Sequence, residues 1–168
     1  SADTALHIPD FRASERTFDI LTQVAGRAGR GDVPGRVIIQ TSVPHHYAIQ
    51  SAKDHNFLEF YDKEIILRKE LMMPPFSRLI QIIGKGPDEG SLLRQMMLLA
   101  KELSLRTQSA AIQVLGPAPS LVSKAQGSFF WHLYVKGSDL EGMITLVRKT
   151  LGEFKRGSVQ LTVDVDPQ

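Results

Sequence analysis

The sequence contains no cysteine, and this absence excludes two classes of site. Without thiols the chain forms no disulfide and binds no metal through thiolates. Its five histidines show neither H-x₃₋₅-H nor H-E-x-x-H spacing, so we expect packing or surface roles for them rather than metal ligation. The chain also lacks the long apolar run of a membrane-spanning helix, and its first residues do not resemble a signal peptide.

Two elements that bind a nucleotide are absent as well. No G-x-x-x-x-G-K-[ST] phosphate-binding loop occurs, and no pair of acidic residues follows a strand to hold Mg²⁺. The segment from Gly26 to Arg36 is rich in glycine but contains no lysine. If arginines of this segment act on a nucleotide, the phosphates of that nucleotide therefore lie on another polypeptide segment.

The charge is only mildly positive. The formal net charge is +2, and the hydrophobic content of 42% with 23% charged residues is typical of a globular protein. Residues 74–168 contain eleven lysines and arginines against eight acidic residues. This excess is too small to predict nucleic-acid binding by itself.

One helix is predicted before the glycine-rich segment. Its apolar residues recur at steps of three and four, as expected of an amphipathic helix: Phe18, Leu21, Ala25 and Ala28. Ser14 is a plausible N-cap for this helix, and Gly29 lies where a left-handed C-terminal cap is expected.

The next segment predicts one strand and two helices. Residues 36–41 are rich in β-branched side chains and predict a short strand of a sheet. A helix is predicted over roughly 45–53, and another from about Asn56. Within the second of these helices, Glu64 and Arg68 have the i,i+4 spacing of a helical ion pair.

The sequence Met-Met-Pro-Pro at residues 72–75 predicts a domain boundary, because two prolines cannot continue the preceding helix. The elements predicted beyond it are strand 78–85, helix 89–106, strands 112–115 and 128–136, a helix from a capping box at Ser138 to about 154, and strand 159–165. This βαββαβ order is that of the ferredoxin-like fold. The predicted class is therefore α/β (α+β).

The eight residues from Gln23 to Arg30 form the most specific motif. Two arginines, each after a glycine at a helix end, can present guanidinium groups that hold phosphate oxygens bidentately. The structural alternative is an ordinary helix end with Gly29 as cap and two solvated arginines. The pattern Q-x-x-G-R-x-G-R resembles motif VI of superfamily 2 helicases, and we therefore favour the interpretation that these arginines bind phosphate.

The resemblance extends along the whole chain. The motifs that recur together in one family are Pro9 to Ala13, Glu15 to Thr17, Gln23 to Arg30, Val37 to Thr41 with Pro44, Phe60, Glu64 and Arg68, Pro74 to Phe76, Arg78 and Leu79, Gly116 to Pro119, and Asp164 to Pro167. On these motifs the sequence resembles the C-terminal portion of the primosomal replication-restart DNA helicases (primosomal protein N′, PriA). The resemblance implies the end of a RecA-like helicase lobe 2 in residues 1–45, connecting helices in 46–73, and a C-terminal domain similar to a small-subunit ribosomal protein in 74–168.

The resemblance also implies roles for four residues. Arg30 would be an arginine finger to the γ-phosphate of ATP, and Arg27 a second ligand of that phosphate. Gln23 and Gly26 would complete the nucleotide-binding set. ATP and Mg²⁺ are then cofactors of a full-length ATP-dependent 3′-to-5′ DNA helicase, whose zinc ligands in the family are cysteines that this sequence does not contain. We expect the chain alone to be inactive.

The partners implied by the resemblance are forked and single-stranded DNA, the single-stranded-DNA-binding protein, other primosome proteins and the N-terminal part of the parent chain. The implied location is the bacterial cytoplasm, in association with the nucleoid. Residues 1–45 would be only part of a larger parallel sheet, so we expect them to favour dimers through their unpartnered apolar faces.

An aromatic strand suggests a second site. Alternation along residues 128–136 places Phe130 and Tyr134 on one face, where they could stack on bases. The alternative is that this face packs against protein. Lys124, Lys155 and Arg156 are further candidates for DNA contact, although the segment around Lys124 has fewer basic residues than the family.

A different class of function stays open. The chain could be a non-enzymatic ferredoxin-like module that binds single-stranded nucleic acid or a protein, with the arginine motif acting only as a helix cap. Nucleotide-independent binding by residues 74–168 alone would favour the module. A requirement for a segment that carries a phosphate-binding loop would favour the helicase.

Overall fold

The computed structural model describes residues 3–6, 10–28, 36–107 and 111–167. The chain divides into two compact units, Ser1–Met73 and Pro74–Gln168. The finer division of the first unit into the end of a motor lobe and a set of connecting helices stays a prediction. None of the helices in the described ranges is long and apolar enough to cross a membrane.

The described part of the first unit is helical. Its elements are α1 (Asp3–Leu6), α2 (Ala13–Ala28), α3 (Tyr47–Lys53) and α4 (Phe57–Glu70). A small buried cluster joins three of them, with Phe18 from α2, Ala48 and Ala52 from α3, and Phe60 from α4. Asn56 caps α4 as expected, since its side chain accepts a hydrogen bond from the backbone N–H of Glu59.

Two predictions for this unit are wrong. Helix α2 begins one residue before Ser14, and the chain entering it is instead held by Asp10, whose carboxylate accepts the N–H of Arg12 and whose carbonyl accepts the N–H of Ala13. Residues 36–41 form no strand. A strand needs a neighbour for its backbone groups, and residues 3–6, 10–28 and 36–73 contain none. The run Val37–Ile38 is accordingly exposed.

The second unit has the predicted fold. Its elements are β1 (Arg78–Gly86), α5 (Glu89–Arg106), β2 (Ile112–Ala125), β3 (Ser128–Gly137), α6 (Leu140–Glu153) and β4 (Gln160–Val165). The sheet order is β2-β3-β1-β4, and each pair of neighbouring strands is antiparallel. This topology is the split βαβ arrangement of the ferredoxin-like fold.

Both helices of this unit contribute to the core on one face of the sheet. The fully buried side chains, each at 0% exposure, are Ile80, Ile82, Leu92, Met96, Leu99, Leu103, Leu133, Val135 and Met143. The spacing of Leu92, Met96, Leu99 and Leu103 predicts that they form the inward face of α5, and all four are among the buried residues, which confirms the helical period. Neither α5 nor α6 packs on the other face of the sheet, here called the open face, because both lie on the side of Ile80 and Leu133.

Three details of this unit differ from prediction. Strand β2 continues to Ala125 rather than ending near 115, because an edge strand tolerates prolines and β2 absorbs them with register shifts opposite β3. Helix α6 is capped by Asp139, not Ser138, through the N–H of Gly142. The alternation of Val159, Leu161, Val163 and Val165 with polar residues predicts a half-buried strand, but Val163 and Val165 are about 40% exposed, since β4 is the other edge strand.

Candidate nucleotide and nucleic-acid sites

The arginine motif lies at the C-terminal end of α2. Gln23, Gly26 and Arg27 are all exposed there, and the four-residue spacing places Gln23 and Arg27 on the same side of the helix. Arg30 and Gly29 lie outside the described residues. Arg27 makes no ion pair with any residue that the structure describes, so none of these residues prevents its guanidinium from binding an anion.

Asp10 does not neutralise Arg27. We expected the motif arginines to be exposed or to rest on carboxylates such as Asp10 or Asp32. Asp10 instead accepts a hydrogen bond from Arg16, with Oδ2 at 2.8 Å from Nη1. Asp32 lies outside the described residues.

The N-terminal half of α2 is tied to α4 by a network of charged groups. Arg68 donates from Nε to Glu64 at 2.7 Å and from Nη2 to Glu15 of α2 at 2.8 Å. The predicted i,i+4 pair is thereby confirmed. The Tyr47 hydroxyl donates to the second carboxylate oxygen of Glu64 at 2.5 Å. Burial, together with that hydrogen bond, raises the pKa of Tyr47 to about 12.

Aromatic rings also contribute to the contact between α2 and α4. The Arg68 guanidinium lies 5.2 Å from the centroid of the Phe11 ring. Phe18 of α2 stacks on Phe60 of α4, with centroids 4.4 Å apart and planes at 13°. Helix α2 is therefore fixed to α4 by an ion pair at Glu15 and by a ring stack one turn later. The sequence marked Phe60, Glu64 and Arg68 but gave no signal that Arg68 contacts Glu15.

The second candidate site is the open face of the sheet, on which neither α5 nor α6 packs. Phe130 and Tyr134 of β3 lie on this face, because they pair across the sheet with Lys85 and Gln81 rather than with the core positions. Gln81 donates a hydrogen bond to the Tyr134 hydroxyl at 2.9 Å. The ammonium of Lys85 lies 5.7 Å from the Phe130 ring centroid. Both rings are half-buried, so each still presents part of a face.

His132 lies between these two rings along β3. Its ring makes an edge contact with Tyr134 at a centroid distance of 5.0 Å. Burial lowers the pKa of His132, which keeps the imidazole neutral near pH 7. The centre of the open face is therefore aromatic and neutral, with Lys85 beside Phe130. The strand register also places Lys136 and Asp164 on this face.

The other predicted nucleic-acid residues do not join this face. Lys124 pairs with Phe129 and lies over its ring, with the ammonium 5.0 Å from the centroid, and Phe129 packs towards the core. Lys155 and Arg156 are exposed after the end of α6, where Arg156 donates to the carbonyl of Leu151. Lys85 was missed by sequence reasoning, although pairing the strands would have placed it beside Phe130.

The described residues hold no cluster of three or more histidine or acidic side chains that could bind a metal ion. The acidic groups that surround Arg68 are already bonded to it or to Tyr47.

Comparison with known proteins identifies the family. The family model described as the primosomal protein N C-terminal domain matches residues 69–168. The replication restart protein PriA of Bacillus subtilis (strain 168) is 36% identical over 171 residues, which cover 99% of this chain and 21% of that protein. The proteins of the same name from Synechocystis sp. and Treponema pallidum are 37% and 36% identical, and the aligned residues cover 20% and 25% of them.

The chain thus spans about a fifth to a quarter of the length of the curated relatives that it matches. Among solved structures, a de novo designed protein, Foldit4, aligns with 55% of the chain at a TM-score of 0.43 and 18% identity, too low to support an argument. The family model covers more than half of the chain and includes all of the βαββαβ unit. The chain belongs to the replication restart protein PriA family, and residues 69–168 are its C-terminal domain.

Proposed function

We propose that this chain is part of an ATP-dependent 3′-to-5′ DNA helicase that restarts stalled replication forks and loads the primosome. The observation that carries the proposal is the exposed end of α2, where Gln23 and Arg27 face outward in a Q-x-x-G-R-x-G-R sequence. Identity of 36% across 99% of the chain to the replication restart protein PriA of Bacillus subtilis supports it. The enzyme is then the whole protein, and this chain alone is inactive.

The role of this chain in hydrolysis is to supply positive charge. Arg27, which pairs with no described residue, fits an anionic ligand, and with Arg30 it would contact the γ-phosphate of ATP bound to another segment. Guanidinium groups neutralise the charge that spreads over the equatorial oxygens during phosphoryl transfer. An arginine finger of this kind contributes about 10³ to 10⁵ in rate. Mg²⁺ would be held by ATP and by carboxylates elsewhere in the protein.

The test is a pair of substitutions in the full-length protein. Arg30→Ala should lower kcat for DNA-stimulated ATP hydrolysis by about 10³ or more and leave ATP binding largely intact, and Arg27→Ala should lower kcat as well. Arg36→Ala, an exposed arginine beyond the motif, is the matched control and should change little. A loss confined to KM would make Arg30 a binding group only, and hydrolysis by residues 1–168 alone would contradict the assignment.

A second function is favoured by the open face of the sheet. Phe130 and Tyr134, with Lys85 beside Phe130, form a surface suited to stacking on unpaired bases, whereas paired bases offer no free ring face. We include single-stranded and forked DNA among the partners on this ground. The single-stranded-DNA-binding protein, other primosome proteins and a location at the bacterial nucleoid follow only from the family resemblance.

A further inference from the structure

Helix α2 contacts α4 near its N-terminal end and carries an exposed arginine near its C-terminal end. The ion pair to Arg68 is at Glu15, the ring stack on Phe60 is at Phe18, and the exposed arginine is at Arg27. At 1.5 Å per residue, Glu15 is about 4.5 Å before the stack and Arg27 about 13.5 Å beyond it. For a rigid rotation of α2 about the stack, a displacement of about a third of an ångström at Glu15 corresponds to about 1 Å at Arg27.

The groups that form the ion pair with Glu15 are themselves held in place. Arg68 is 15% exposed and Glu64 10% exposed, and the Tyr47 hydroxyl holds the other oxygen of Glu64. The guanidinium therefore has a fixed position before it meets Glu15, whose side chain is 46% exposed. A planar guanidinium that bonds two carboxylates from separate donors sets direction as well as distance.

Small errors of position matter for phosphoryl transfer. Catalysis by arginines depends on their being placed before reaction, and a displacement of about 1 Å can cost about 10²-fold in rate. We propose that Glu15 and Arg68 are positioning residues for Arg27 at the end of α2, so that their ion pair sets the rate of ATP hydrolysis. This inference rests on the proposed function of Arg27 and Arg30.

The test is Glu15→Ala in the full-length protein. This variant removes the exposed partner of the Glu15–Arg68 ion pair and leaves the Arg68–Glu64 pair intact, so no buried charge loses its last partner. Because the stack of Phe18 on Phe60 remains, we expect kcat for DNA-stimulated ATP hydrolysis to fall about tenfold, less than the full cost of 1 Å. KM for ATP and the melting temperature should stay close to those of the wild type.

Glu59→Ala is the matched control. Glu59 is also an acidic residue in the first turn of its helix, is 41% exposed, and forms an ion pair of 2.6 Å, but with Lys63 of the same helix. Because this ion pair lies within one helix and does not connect α2 to α4, Glu59→Ala should leave kcat unchanged. A similar loss of kcat in both variants, or a loss in Glu15→Ala that follows a lower melting temperature, would overturn the inference.

Arg27→Ala in the same assay separates the inference from the proposed function. If neither Arg27→Ala nor Arg30→Ala lowers kcat, the proposed function is wrong, and Glu15 and Arg68 have no catalytic arginine to position. If Arg27→Ala lowers kcat but Glu15→Ala does not, the proposed function stands and the positioning role is refuted. The inference requires kcat to fall in both variants while Glu59→Ala behaves as the wild type.

Discussion

Gly84 of β1 is packed closely against the helix α5. A Cβ atom added there would lie 2.5 Å from Sδ of Met96 and 3.0 Å from Cδ1 of Leu92. Both side chains project from α5 and are fully buried. Gly84→Ala therefore forces two core side chains to move, although the extended backbone itself accepts alanine.

The size of the effect follows from two opposing terms. Overpacking a buried site by one methyl group costs about 1 to 3 kcal/mol. Replacing glycine reduces the entropy of the unfolded chain, which offsets about 0.4 to 1 kcal/mol. Because Met96 is flexible and can yield partly, we expect a net loss of about 1 to 2 kcal/mol of unfolding free energy, or about 5 to 10 °C in melting temperature for a domain of this size.

The sole tryptophan provides the assay. Trp131 pairs with Gly84 across the sheet, so its fluorescence during urea unfolding reports on the second unit. Gly152→Ala in α6 is the matched control, because no atom lies within 4 Å of its added Cβ, and it should raise stability by a few tenths of a kcal/mol. A Gly84→Ala protein as stable as the wild type would refute the claim that α5 needs a glycine beneath it.

Two further predictions concern the open face. Because burial lowers the pKa of His132, the unfolded chain binds more protons than the folded one, and stability should fall as the pH drops below about 6.5. His132→Gln should flatten this slope in urea titrations. Phe130→Ala should weaken single-strand binding by about 1 to 3 kcal/mol in anisotropy titrations and leave duplex binding nearly unchanged. Exposed Val122→Ala is its control, and loss of the folded circular dichroism spectrum would instead make Phe130 a core residue.

The elements that the sequence predicts well are those whose signals are local. Helix α5 has the bounds expected of it, because Asp88 caps it and its buried side chains repeat at helical spacing. Strand β2 is the opposite case. Pro117 and Pro119 interrupt its pattern, yet its position at the edge of the sheet, which no local signal reports, permits both prolines.

Contacts between distant segments explain the other differences. Residues 36–41 have the composition of a strand, but composition does not supply the neighbour that a strand requires. The spacing of Glu64 and Arg68 predicts their pair, whereas the contact of Arg68 with Glu15 joins residues 53 positions apart. Such contacts depend on how helices pack against one another, and the residue pattern within one segment does not indicate this packing.

The motif residues of the first unit fall into two groups by exposure. Glu64 and Arg68 are largely buried and bonded to each other, whereas Gln23 and Arg27 are exposed at the far end of α2. A buried ion pair is weak evidence for stability, because the cost of removing both charges from water offsets their attraction and apolar packing often serves as well. Charged groups form directional bonds, whereas apolar contacts are not directional. The position of Glu15 on that pair therefore favours a role in orienting α2 over a role in holding the unit together.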